Sequence, residues 1–199
     1  MQKNNLMILN LLKEENNMAR NSHVISTLVE DKPGVLQKVA SLLNRRGFNI
    51  DSITVGSSEV ENLSRMVFVV KGDEKVLEQV IKQLHKLVDV VKIKDLDPDY
   101  VLKRELCLVK VKTSKEKSRS EIIEYADIFK AKIIDVCDDF ITMEVTGNPE
   151  KIDSFLRLLK PFGIKKIART GPTAIARAKD KTRLPSLKVR QFLFDCNEE

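Results

Sequence analysis

The chain alternates between short β-branched runs and longer stretches whose apolar residues recur every three or four positions. Residues 24–29 are short and rich in Val, Ile and Thr, which predicts a strand. Pro33 then suits the first turn of a helix, where its missing N–H costs nothing. Leu36, Val39, Ala40 and Leu43 form one apolar stripe behind it, and Gly47 stands where a C-terminal helix glycine is expected. Residues 48–55 alternate apolar and polar as a half-buried strand does, and the polar residues 57–62 turn the chain into a third apolar run, 63–70. A second helix is expected with Val76, Val80, Ile81, Leu84, Leu87 and Val88 inward, and residues 90–93 close the unit as a fourth strand. The order β-α-β-β-α-β is the ferredoxin-like arrangement.

The same order returns. Residues 106–111 read as a strand, and Ser118 to Glu121 has capping-box spacing before a helix with Ile122, Ile123, Ala126 and Phe129 inward. Residues 132–136 and 140–145 form a hairpin about Asp138 and Asp139. A last helix runs through Ile152, Phe155, Leu156 and Leu159, and residues 162–168 end the unit. The halves align best around Gly72 and Gly147, 75 positions apart, each before a helix start (Gly72-Asp73-Glu74-Lys75-Val76, Gly147-Asn148-Pro149-Glu150-Lys151-Ile152). The expected class is therefore α+β, two tandem ferredoxin-like domains at 23–96 and 104–171. A polar linker at 97–103 joins them, with a flexible extension at 1–22 and a tail at 172–199 that suits docking on a partner. Residues 66–70 are apolar on both faces, whereas the helices of such a unit cover only one face of its sheet. Another sheet, from a second chain or from the second half, is expected there, and a homodimer is predicted on that ground; a central strand with some exposed aliphatics is the plainer alternative.

Composition narrows the function. A hydrophobic fraction of 42% with 5% aromatics and no Trp predicts aliphatic cores in a soluble globular chain. The formal charge of +6 raises nucleic acid as a partner. The cations are interleaved with 29 acids, however, and the strands lack stacking aromatics other than Phe68, so a solvated surface or a docking face for an acidic protein partner fits better. Three scattered cysteines, Cys107, Cys137 and Cys196, with no C-x-x-C spacing, argue against a disulfide framework or a zinc site. Residues 6–12 are apolar but too short and interrupted for a signal peptide, and no stretch approaches a membrane span. The expected location is cytoplasmic, or the plastid stroma if the chain is plastid-encoded.

The usual catalytic signatures are missing: no G-x-G-x-x-G, P-loop, H-E-x-x-H or G-x-S-x-G occurs. The two histidines, His23 at the mouth of the first strand and His85 in the second helix, have no metal-spaced neighbours, and Cys107 and Cys137 read as core residues within strands. The chain is read as non-catalytic, with no metal or cofactor of its own. The segment Glu30-Asp31-Lys32-Pro33-Gly34-Val35-Leu36 is the candidate binding turn. A helix start presents unpaired N–H groups and positive dipole, which suit a carboxylate. Gly34 admits close approach, and Asp31 can take an ammonium. Asn49, at the start of the neighbouring strand, offers an amide, and Val35, Leu36 and Ile50 offer an apolar wall. A plain capped helix start with Pro33 in its first turn explains the same residues without a ligand.

The run 28–36, followed by Asn44-Arg45-Arg46-Gly47-Phe48-Asn49-Ile50-Asp51-Ser52-Ile53-Thr54-Val55, resembles the ACT domain of the acetolactate synthase small-subunit family, also called the acetohydroxyacid synthase regulatory subunit. The likeness continues through residues 63–66, 72–79, 82–90 and 104–110 and ends near 167–171. It implies an N-terminal ACT domain followed by a second ferredoxin-like domain, with dimerisation through the ACT domains. It also implies a separate catalytic large subunit, holding thiamine diphosphate, magnesium and FAD, which this chain binds and activates. Valine, a product of branched-chain amino-acid biosynthesis, is the implied feedback inhibitor, seated at the ACT–ACT interface. The implied effector positions are Asp31, Gly34, Val35 and Asn49, with Lys32, Pro33, Leu36 and Ile50 beside them. Enterobacterial members commonly carry Asn where this chain has Asp31. The second copy's loop, 112–117, has no Gly and several charges, so a structural or docking role is expected there. The rival is an amino-acid-responsive regulator acting on a transcription complex; it would need a helix-turn-helix, for which residues 1–22 are too short.

Overall fold

The computed structural model describes residues 22–113 and 116–177, so the expected extension, most of the tail and Cys196 lie outside the described residues. The chain divides into two compact units. One holds the described residues through Val101 together with Ala176 and Arg177, the other Leu102–Ile175.

In the first unit, β1 (Ser22–Glu30), α1 (Val35–Arg45), β2 (Asn49–Ser57), β3 (Leu63–Lys71), α2 (Glu74–Leu84) and β4 (Val90–Leu96) follow in order. The sheet is antiparallel with strand order β2-β3-β1-β4, so the split β-α-β topology is as expected. The helices cover one face. Val35, Val39 and Leu43 of α1 and Leu77, Val80 and Leu84 of α2 meet Ile25, Phe68 and Val70 in an aliphatic core. At roughly 25 cal/mol per Å² of buried apolar surface, each such side chain contributes about 1.5–3 kcal/mol.

The details shift the expected stripes. Helix α1 begins at Val35, two residues later than Pro33 would place it, so the buried row is Val35, Val39 and Leu43, and Leu36 is 46% exposed. Gly47, at φ 69, does end the helix in the left-handed conformation. Helix α2 stops at Leu84 with His85 as its cap, which leaves Val88 in the following loop and 87% exposed. Leu77 takes the core position that the period missed.

The second face of this sheet is also buried: Val24, Ser26, Leu28, Val67 and Val69 are at most 9% exposed within this single chain.

The second unit repeats the plan: β5 (Val101–Lys112), α3 (Glu116–Phe129), β6 (Lys132–Val136), β7 (Phe140–Gly147), α4 (Pro149–Leu159) and β8 (Ile164–Arg169), in the order β6-β7-β5-β8. A further strand, β9 (Thr173–Ala176), pairs with β5. Strand β5 thus starts inside the expected linker, and the expected tail begins with sheet; both segments lack the periodicity that would mark them. Residues 98–100 form a short 3-10 turn capped by Asp97. Helix α3 starts before Ser118, which is therefore not its cap, and Ile123 is exposed while Tyr125 packs on the core. Cys107 is buried in β5, whereas Cys137 lies exposed in the hairpin loop rather than in a strand.

The two alignable glycines share a reason. Asp73 caps α2 by accepting from the Val76 N–H (2.9 Å), and Asn148 caps α4 by accepting from the Lys151 N–H (3.1 Å). A Cβ on Gly72 would lie 2.6 Å from the Val76 Cβ, and one on Gly147 would lie 2.6 Å from the Lys151 Cδ. The branched Val76 leaves no room for a side chain at Gly72, whereas the flexible Lys151 side chain can move aside at Gly147. Across the second unit, Arg169 on β8 forks onto Glu105 of β5 and reaches Asp153 of α4 (2.6 Å). Glu105 raises the Arg169 pKa, with Asp153 adding to the effect.

Candidate functional site

The β1–α1 turn is pinned from both sides of β1. The Glu30 N–H donates to the Asp89 carbonyl (2.9 Å) in the loop before β4, and the Asp31 N–H donates to the Asn62 carbonyl (2.9 Å) in the loop before β3. Asn62 itself has φ 60, the left-handed conformation that Asn tolerates. Gly34, at φ 86, ends the turn. Glycine is favoured here, because a side chain at that φ costs about 1–2 kcal/mol. The space is open: a Cβ on Gly34 would meet nothing within 4 Å.

No side chain caps α1. Helices α2 and α4 have carboxylate or amide caps, whereas α1 has none; its Val35 N–H donates to the Lys32 carbonyl (3.3 Å) and its Lys38 N–H to the Gly34 carbonyl (2.9 Å). Both cations at the turn are already engaged. Lys32 pairs with Glu30 (2.8 Å), which raises the lysine's pKa, chiefly through the side-chain hydrogen bond. Lys38 bonds both carboxylate oxygens of Asp89 (3.1 and 2.9 Å) and holds that carboxyl below its ordinary range. The Asp31 carboxylate is exposed and has no partner among the described residues. The turn therefore offers a free carboxylate beside an uncapped helix start, which matches the ammonium and carboxylate of an α-amino acid.

The remaining expected residues separate. Pro33 and Gly34 are exposed within the turn, and Leu36 borders it. Val35 is 3% exposed and belongs to the core, so it is no wall for a ligand; the helix starts with its side chain pointing inward. Asn49 and Ile50 are not beside the turn, because β3 lies between β2 and β1. Asn49 pairs with Lys71, which pairs with Ser22 at the far end of β1, whereas the turn leaves β1 at Glu30. Eight strand steps at roughly 3.3 Å put about 26 Å between the two ends. One copy of the chain does not bring the halves of the expected site together.

Sequence reasoning missed Asn62, Lys38 and Asp89, which hold the turn. The polar loop and a left-handed Asn were a faint signal for the first; the Lys38–Asp89 pair, 51 residues apart, gave none. The second unit's corresponding loop has Thr113 buried, its N–H donating to the Asp139 carbonyl (2.7 Å), while Ser114 and Lys115 lie outside the described residues. Among the described residues there is no cluster of three or more potential metal ligands, and no helix is long and apolar enough to cross a membrane.

Comparisons with known proteins agree over both units. Residues 25–92 match the model of the AHAS small subunit-like ACT domain, and residues 104–178 match that of the small subunit of acetolactate synthase. A protein of Methanothermobacter thermautotrophicus, described as a probable acetolactate synthase small subunit, is 58% identical over 160 residues, 80% of this chain and 95% of that protein. The acetolactate synthase small subunit of Mycobacterium bovis is 47% identical over 160 residues, covering 80% of this chain and 95% of its own length. Among solved structures, the acetolactate synthase small subunit from Thermotoga maritima superposes with a TM-score of 0.73 at 47% identity, over 78% of this chain and 97% of that one.

Proposed function

The chain belongs to the acetolactate synthase small-subunit family, and from that premise we propose that it activates a catalytic large subunit and makes it answer to valine. In this reading the large subunit carries thiamine diphosphate, magnesium and FAD and performs the chemistry; this chain has a regulatory role in branched-chain amino-acid biosynthesis. The observation that carries the reading is the β1–α1 turn, where a free Asp31 carboxylate stands beside a helix start that no side chain caps. An α-amino acid fits by placing its ammonium on Asp31 and its carboxylate on the N–H groups of α1. Leu36 is the exposed apolar residue beside it, and its size favours an aliphatic side chain such as valine's.

A second copy completes the site. On a helix of 3.6 residues per turn, Leu36 and Lys38 fall on opposite sides of the buried Val35, Val39 and Leu43 row. Lys38 faces the loop before β4, so Leu36 looks toward the β2 side of the sheet. There β2 is an edge strand with Val55 47% exposed. Antiparallel pairing of β2 with β2 of a second copy reverses the strand and brings the second copy's Asn49 and Ile50 to the end of the sheet that holds the turn. The dimer therefore rests on the edge strand and the divided site.

Occupancy would reach the large subunit as a coupling free energy, typically about 1–3 kcal/mol. The test is to mix the chain with an acetolactate synthase large subunit and titrate valine. Activity should rise on mixing and fall with valine; no rise and no response would refute the reading.

A further inference from the structure

The outer face of the second sheet, the side away from α3 and α4, is partly exposed among the described residues. Cys107, Val109 and Val111 of β5 point into the core, so Leu106, Leu108 and Lys110 line the opposite face. Lys110 stands directly across from Thr142 on β7 and from Lys166 on β8, and Leu108 stands across from Glu144 and Ala168. Residues opposite one another in an antiparallel pair project from the same face, so Lys110 and Lys166 are cross-strand neighbours of like charge, an arrangement that weakens a sheet. Lys110 has Asp135 at 3.9 Å, and Glu144 stands across from Lys132. Lys166 is exposed with no acid beside it among the described residues.

The duplicated unit supplies the control. On the first sheet Ser26 sits between Val67 and Lys94 as Lys110 sits between Thr142 and Lys166, so no lysine pair forms there. That face is buried, with Val24, Ser26, Leu28, Val67 and Val69 at most 9% exposed. The second face keeps an apolar centre, with Leu108 37% exposed and Leu106 partly so, beside two opposed lysines, of which Lys110 has only the long contact to Asp135 and Lys166 has no ion pair among the described residues.

We propose that this face docks a carboxylate-bearing surface of the large subunit, with Lys110 and Lys166 gripping the acid and Leu106, Leu108 and Ala168 forming the floor. The inference rests on the functional reading above and adds where the catalytic partner binds. Charge selects the occupant: a two-fold contact between two copies of the face would set its lysines against lysines. Among the described residues of this face, a polynucleotide would find only Phe140 to stack on.

Lys166→Glu separates docking from folding, because it turns a like-charge pair into an opposite-charge one. The chain should melt at the same or a higher temperature and bind valine as before. The concentration giving half-maximal activation of the large subunit should nevertheless rise about tenfold or more, with a weaker salt dependence. Leu108→Ser should weaken activation without changing the salt dependence. Unchanged activation by Lys166→Glu, while the native chain activates, would overturn the docking face and leave the functional reading intact. A native chain that never activates would remove both. A change in the self-association of the Lys166→Glu chain, or salt-sensitive binding of a single-stranded oligonucleotide that this substitution abolishes, would overturn the proposal in favour of those occupants.

Discussion

Gly34→Asp puts a carboxylate where the effector's carboxylate is proposed to sit, and its consequences can be worked from the turn. The site is sterically open, since a Cβ there meets nothing within 4 Å, so the substitution causes no clash. The φ of 86 is unfavourable for a side chain by about 1–2 kcal/mol, with Asp among the more tolerant residues. Against this, α1 lacks a side-chain cap, and a new acidic cap contributes about 0.5–2 kcal/mol. The two nearly cancel, so the melting temperature should move by no more than about 2–4 °C. Effector binding changes far more. Hydrogen bonds from the helix start to a carboxylate are worth about 1.5–3 kcal/mol, and the new side chain both occupies those donors and repels the incoming anion. At 1.4 kcal/mol per tenfold, the valine concentration for half-inhibition should rise at least about tenfold. The assay is holoenzyme activity across a valine titration, with a thermal melt of the isolated chain beside it. Activation without valine should stay near the native level. Unchanged half-inhibition would refute the assignment of the turn, and loss of activation together with inhibition would refute its being specific to the effector.

Other expectations follow from the same coordinates. Gly72→Ala forces its Cβ against the branched Val76 at 2.6 Å, whereas Gly147→Ala meets chiefly the movable Lys151 Cδ. The first should destabilise by about 1–3 kcal/mol and the second by clearly less, read from urea midpoints. Glu105→Gln removes the acid from a side chain only 2% exposed and leaves Arg169 with Asp153 alone, which should cost about 1–3 kcal/mol in the second unit. Asp89, whose carboxyl Lys38 holds below its ordinary range, contributes stability above its unfolded pKa, near ~3.9, and loses it as pH falls through the lower folded value. The melting difference between native and Asp89→Asn chains should therefore be present at neutral pH, begin to shrink near about pH 4 and vanish only below the lowered folded value; a difference that persists undiminished in strong acid would exclude the Lys38–Asp89 bridge as its source.

Much of this was legible in the sequence because duplication and periodicity are local signals. The strands, helices and topology of both units follow from apolar spacing, and the caps follow from Asp73 and Asn148. Errors gathered where a contact distant in sequence decides the outcome. Val88 continues the apolar rhythm of α2, yet the helix ends at Leu84 and the loop carries Val88 into solvent. Leu36 and Val35 exchanged roles because the left-handed Gly34 delays the helix past Pro33. The second face of the first sheet was read correctly as apolar and covered. For the site, Asp31 and Gly34 stood out because turn chemistry is written in adjacent residues. Asn49 seemed close because β2 follows α1 in sequence, but the crossover places β3 between β2 and β1. Only the register exposes the separation.

That separation gives the most direct test of the central idea, an amino-acid site shared between two copies. Gly34→Asp breaks one half of the site and Asn49→Ala the other, and each alone should abolish valine inhibition of the holoenzyme. Co-expressing the two variants forms mixed dimers in which one copy keeps its turn and the other keeps its Asn49, so one site per mixed dimer is whole. The account predicts that valine inhibition reappears in the mixture. If the mixed dimers form and stay insensitive while each variant still activates, the two residues do not meet across copies, and the shared site is contradicted.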